Sequence, residues 1–178
     1  MDRVKMIARA ATLGLCLASS GAGLAMPQAA PSPMTALGRL TITCGADGAP
    51  VYSLGGKQIG TGGADGACTD MPPMLAMSRK FPSGEQVLGV IEPVSATFSE
   101  ATLIRVAPGK PPAIIRIDYL SDLGAMPAPN KISIAVMGVI GRPAMQRSWT
   151  CLLTLDWARG KVVSSVWTGG ARGGSCST

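Results

Sequence analysis

Residues 149–168 read Trp149-Thr-Cys-Leu-Leu-Thr-Leu-Asp-Trp-Ala-Arg-Gly-Lys-Val-Val-Ser-Ser-Val-Trp-Thr168. Trp149, Cys151, Leu153, Leu155 and Trp157 fall on every second position, the period of a strand that buries one face. A second β-run, residues 162–168, follows Ala158-Arg159-Gly160-Lys161. Gly160 supplies the positive φ that a tight connection demands. The two runs predict a hairpin with Trp149 and Trp157 in the core. With Arg159-Gly160 as a two-residue loop, Trp167 falls on the other face with Leu152, Thr154 and Asp156, towards solvent. A three-residue loop with a bulge would exchange those faces.

The same period recurs upstream. Leu40, Ile42 and Cys44 alternate with Thr41 and Thr43, and short runs follow at 51–54 and 57–60. These lie between Gly45-Ala46-Asp47-Gly48 and Gly63-Ala64-Asp65-Gly66, each holding an Asp-Gly turn signal. Further strands are expected at 86–91, 97–106, 113–120 and 132–140, the last apolar on both faces and therefore central in its sheet. Only residues 71–80 read as helical. Such punctuation by Gly and Pro, without repeated helices, predicts a mainly β domain of seven to eight short strands with at most one or two short helices. The architecture is an antiparallel sandwich or a partly open barrel.

The N-terminus reads as an export signal. Asp2, Arg3, Lys5 and Arg9 precede an uncharged Ala/Leu/Gly stretch at 10–25, and Gly23-Leu24-Ala25 fits the small-residue rule for cleavage. Ser19, Ser20, Gly21 and Gly23 dilute the stretch below the roughly 20 apolar residues of a spanning helix, so no transmembrane anchor is expected after cleavage. Residues 26–37 contain Pro27, Pro31 and Pro33 and suggest a spacer, leaving 38–178 as one domain. Removing residues 1–25 takes away Asp2, Arg3, Lys5, Arg9 and Cys16, which lowers the net charge from +6 to +4 and leaves four of the five cysteines. An even count in an exported chain, periplasmic or secreted, implies two disulfides. Pairing Cys44 with Cys68 and Cys151 with Cys176 would staple the two ends of one local unit in each case. By loop entropy each bridge would stabilise the fold by about 3 to 4 kcal/mol.

The chain has no histidine. That removes His-metal sites, Ser/His and Cys/His nucleophiles and c-type haem attachment. The Gly-rich stretch 55–66 fails as a phosphate loop, because Gln58 follows Gly56-Lys57 where Ser or Thr is needed. Met71, Met74 and Met77, spaced by three, would line one side of a helical turn and offer thioethers to Cu(I), the one cofactor the chain suggests. A small hydrolase using a carboxylate pair is a further alternative, although no two of Glu92, Glu100, Asp118 and Asp122 stand out as partners. Arg116 and Asp118, on one side of one strand, suggest a simple ion pair.

Charge is the most informative feature. Basic and acidic residues cancel between 26 and 141, whereas Arg142, Arg147, Arg159, Lys161 and Arg172 face Asp156 alone in the remainder. The excess therefore belongs to the C-terminal hairpin, which also carries Trp149, Trp157 and Trp167. The expected function is non-catalytic binding in the cell envelope or periplasm, of protein, glycan or hydrolase-inhibitor type. Trp167, Arg159 and Lys161 would be the contacts, with Arg147 and Arg172 as rim charges, meeting an anionic envelope component or an acidic protein partner. Nucleic acid is not expected, because the basic residues are not interleaved with stacking aromatics.

Overall fold

A computed structural model describes residues 33–63, 68, 71–95, 98–140, 145–170 and 176, all within the unit Pro31–Thr178. The expected leader, Arg142 and Arg172 lie outside the described residues. Among the described residues twelve strands, rather than seven or eight, form three antiparallel four-stranded sheets. The first holds β1 (Met34–Thr35), β2 (Gly38–Cys44), β3 (Pro50–Leu54) and β4 (Lys57–Thr61) in sequential order. The second holds β5 (Met74–Lys80), β6 (Gln86–Pro93), β7 (Ser99–Val106) and β8 (Ala113–Leu120), again in order. The third holds β9 (Asp122–Leu123), β10 (Lys131–Ile140), β11 (Met145–Asp156) and β12 (Lys161–Gly170). Part of the excess over the expected count comes from β1 and β9, two-residue strands too short to leave a periodic signal. Met34 and Thr35 pair with β2 from within the stretch read as a spacer.

The sheets stack as a three-layer sandwich with the second in the middle. One face of that sheet, with Leu88, Val90, Ile104 and Val106, packs on Leu40, Tyr52 and Leu54 of the first sheet. The other, with Val87, Ile91, Leu103, Ile115 and Ile117, packs on Ile132, Ile134, Cys151, Leu153 and Leu155 of the third. Burial on both faces explains why β6 is a near-continuous apolar run. Each large aliphatic side chain removed fully from water adds about 1.5–3 kcal/mol of transfer free energy. The disulfides join Cys44 to Cys68 and Cys151 to Cys176, the pairing expected from their local spacing. Among the described residues no helix is long and apolar enough to cross a membrane.

Two sequence expectations are corrected. The segment read as helical is the extended edge strand β5, hydrogen-bonded to β6. Pro72 and Pro73 push the residues before them, Met71 and Pro72, towards extended backbone, and a strand paired to β6 satisfies the backbone groups that a short isolated helix would leave open. The last hairpin also differs. Its turn comprises Trp157, Ala158, Arg159 and Gly160, since Asp156 pairs with Lys161. Irregularities between Thr154 and Leu155 and between Thr150 and Cys151 shift the register, so Trp167 stands opposite Cys151 rather than sharing a face with Leu152 and Asp156. Trp167 is nonetheless 44% exposed, because β12 is an edge strand and open along most of its length. Trp149 and Trp157 are buried.

Candidate functional site

The tip of the last hairpin is fixed from three sides. Asp156 Oδ1 accepts hydrogen bonds from the backbone N–H groups of Ala158 and Arg159, both at 3.1 Å, which closes the turn. The Trp157 indole N–H donates to the Pro129 carbonyl at 2.7 Å, and the Arg105 guanidinium lies over the Trp157 ring at 5.9 Å. Arg105 is in turn held by Glu85 through a close ion pair. This Arg105 hydrogen bond, opposed by partial burial, keeps the Glu85 carboxyl below its ordinary value of 4.5. The turn is thus positioned by the middle sheet and the loop before β10.

Fixed in this way, the tip faces the edges of β4 and β8 across a groove of about 560 Å³. Gly60, Thr61, Ile114, Arg116, Asp118, Gly160, Lys161 and Val162 line it. Arg116 does not pair with Asp118 as the sequence suggested. Its Nη2 donates instead to the Thr61 carbonyl at 2.7 Å. The ladder explains why that carbonyl is available: Gly62 N–H bonds inward to the Pro50 carbonyl at 2.7 Å, so Thr61 presents its backbone to the outer edge. Arg116 therefore bridges two sheets while remaining exposed. Lys161 is exposed and takes part in no ion pair among the described residues, whereas Arg159 is shared with Asp156 at 3.5 Å.

Backbone strain sits beside this groove. Asp118 and Tyr119 together oppose Glu100 in a bulge between the Ser99–Leu120 and Ala101–Ile117 pairs. Tyr119 adopts φ +54° and is 71% exposed, although glycine is the usual occupant of a left-handed bulge position. The bulge interrupts strand alternation where Asp118 reaches the groove.

Of the contacts expected from sequence, Lys161 lies in the groove and Arg159 at the tip above it. Trp167 is mid-strand. Arg147 is exposed at the far end of β11, about 30 Å from the tip at the usual rise of a strand. The structure thus does not gather the described members of the expected set, Trp167, Arg159, Lys161 and Arg147, into one patch, and it adds Arg116, which sequence had assigned to an ion pair. The methionines are also rearranged. The bulge between Leu75 and Met77 turns Met74 and Met77 to one face of β5, where Met77 packs on the core and Met74 stays exposed. Among the described residues no group of three or more Asp, Glu or Cys is arranged to hold a metal ion.

Behind the groove, between the first and second sheets, lies a feature that sequence did not single out. Glu92 is fully buried. Its Oε1 accepts hydrogen bonds from the Tyr52 hydroxyl and the Thr102 hydroxyl, each at 2.5 Å, and its Oε2 from the Gly63 N–H at 3.0 Å. Burial, reinforced by the hydrogen bond to Glu92, raises the Tyr52 phenol well above its ordinary range, so it stays a donor. A Cβ at Gly62 would come within 2.3 Å of Glu92 Oε2, so only glycine lets the end of β4 close over the carboxylate. This latch fixes β4, and with it the Thr61 side of the groove. No family model, curated protein or solved structure matches the chain.

Proposed function

We propose that this chain is an exported, disulfide-stapled binding protein that engages an acidic partner without transforming it, at the groove between β4, β8 and the tip of the β11–β12 hairpin. The observation that carries the reading is the convergence of Lys161 and Arg116, both exposed, on one groove whose only lining carboxylate among the described residues is Asp118. Opposed cations on rigid strands lose little freedom when an anion docks, which favours binding. The strained bulge at Tyr119 stands beside the same groove and is consistent with local structure kept for a purpose other than stability. Two disulfides fit an oxidising compartment. The hydrolase alternative gains nothing from Glu92, whose oxygens already accept three hydrogen bonds inside the fold.

Poly-L-glutamate, a soluble acidic probe, tests the reading. Binding should weaken as salt rises, because the Debye length shortens to about 8 Å at physiological ionic strength. Lys161→Glu should weaken binding at low salt at least tenfold with unchanged circular dichroism, while Arg147→Glu at the far end of β11 should change it less than twofold. Equal losses from the two variants would refute the placement of the site.

A further inference from the structure

A second cleft, of about 600 Å³, lies where turns of the first and second sheets meet. Leu37 of the β1–β2 turn, Leu54 and Ile59 of β3 and β4, and Pro111 and Pro112 before β8 form its apolar lining. Both walls are stiff. A Cβ on Gly38 would come within 2.6 Å of the Gly55 Cα, so only glycine lets the β1–β2 and β3–β4 turns touch. The contact is held by the Gly55 N–H, which donates to the Arg39 carbonyl at 3.1 Å. The Thr35 hydroxyl donates to the Gly38 carbonyl at 2.6 Å and accepts from the Leu37 N–H at 3.1 Å. Leu37 is thus fixed although 42% exposed. On the other wall two consecutive prolines fix their own φ, and the turn before them closes through the Lys110 N–H to the Ala107 carbonyl at 3.2 Å. Buried Leu54 is the floor. The charge in the cleft has one sign. Lys57 and Lys110 line it, both exposed and in no ion pair among the described residues, and none of the described lining residues is acidic or aromatic. Glu85, which feels the charge of Lys110, lies outside the lining and is held by Arg105.

We propose that this cleft binds a single-chain amphiphilic anion, a long-chain carboxylate whose tail lies on Leu37, Leu54, Ile59 and the two prolines and whose head is met by Lys57 and Lys110. It shares no lining residue with the acidic-partner groove and does not depend on that reading. A preformed, mostly apolar cleft of several hundred Å³ with a few polar groups is the usual form of a small-molecule site. Aliphatic walls suit a polymethylene chain, whereas a sugar ring finds no aromatic face among the described lining residues. The lysine ammonium groups, on flexible four-carbon stems, can close on the head from the rim. Stiff walls lose little freedom when the chain docks. Because the apolar surface is concave, it receives one chain rather than lying on a bilayer as an amphipathic face does.

Isothermal titration calorimetry of the full chain with octanoate, decanoate and dodecanoate, each below its micelle-forming concentration, tests the proposal. Burial of one methylene is worth about fourfold in affinity, so each added pair should tighten binding at least fivefold. Leu37→Ser should weaken decanoate at least fivefold, with Leu37→Ala as the milder variant if its Tm falls. Replacing Lys57 and Lys110 together, Lys57→Gln with Lys110→Gln, should weaken decanoate at least tenfold and leave 1-decanol within twofold. Lys161→Glu, in the other groove, should change decanoate less than twofold. No binding, affinity independent of chain length, or affinity that survives both the Leu37 and the double lysine variants would overturn the proposal. A loss from Lys161→Glu as large as that from the lysine pair would place the anion in the other groove and overturn it as well. Binding to phosphatidylglycerol vesicles without binding of monomeric decanoate would assign the face to a membrane instead.

Discussion

A carboxylate shut away from water is costly unless donors replace its hydration. Glu92 is supplied by Tyr52, Thr102 and the Gly63 amide, and so joins β3, the end of β4, β6 and β7 around one side chain. Removing the acceptor leaves two buried hydroxyls without it, each worth about 1–3 kcal/mol. Glu92→Ala should therefore destabilise the fold by about 2–5 kcal/mol in urea unfolding. Tyr52→Phe should cost about 1–2 kcal/mol, and the double variant less than the sum, because the two share one interaction. Strict additivity would show that the contact does no joint work. The latch was illegible in the sequence for a physical reason. Glu92 and Tyr52 are 40 residues apart, and a lone acid at the end of the apolar run 86–91 looks like a strand terminus. Only the stacking of two sheets brings them together.

Among the elements, the β11–β12 hairpin was the most legible, because apolar residues at every second position from Trp149 to Trp157 specify one buried face. Its turn was read two residues too short, since Asp156 captures the N–H groups of Ala158 and Arg159 and enlarges the loop. β5 was misread because Met71, Met74 and Met77 mimic helical spacing, while a bulge lets a strand carry Met74 and Met77 on one face. The groove was half legible. Excess charge pointed to Lys161, but Arg116 lies on another sheet, and its approach to Thr61 spans 55 residues of sequence. The hairpin also has an acid-sensitive support. Glu85 is held below its ordinary value of 4.5 chiefly by its hydrogen bond from Arg105, so it contributes stability above that pH and loses it as pH falls through the lower folded value. Glu85→Gln should thus lower Tm at neutral pH, with the gap to the native chain closing as the pH is taken from neutral to below 4.5. A gap that stays constant over that range would contradict the role given to this ion pair.

At the scale of the whole molecule, three stacked sheets make the middle one a two-sided core and leave the edges of β4 and β8 to face the tip of the last hairpin. The Cys44–Cys68 bridge closes a loop on the first sheet, and Cys151–Cys176 ties the tail to the third. Each closes a loop of about 25 residues, about 3 to 4 kcal/mol by chain entropy, a scaffold stiff enough to hold cations apart at fixed spacing. The proposed site therefore lies where three sheets meet rather than on any single strand. Backbone amide shift mapping on the ¹⁵N-labelled chain, titrated with a short oligo-L-glutamate, tests this most directly. Shifts concentrated at Thr61, Arg116, Gly160 and Lys161 are the predicted result; no shifts, or shifts confined to Arg79 and Lys80 on the edge strand β5, would contradict it.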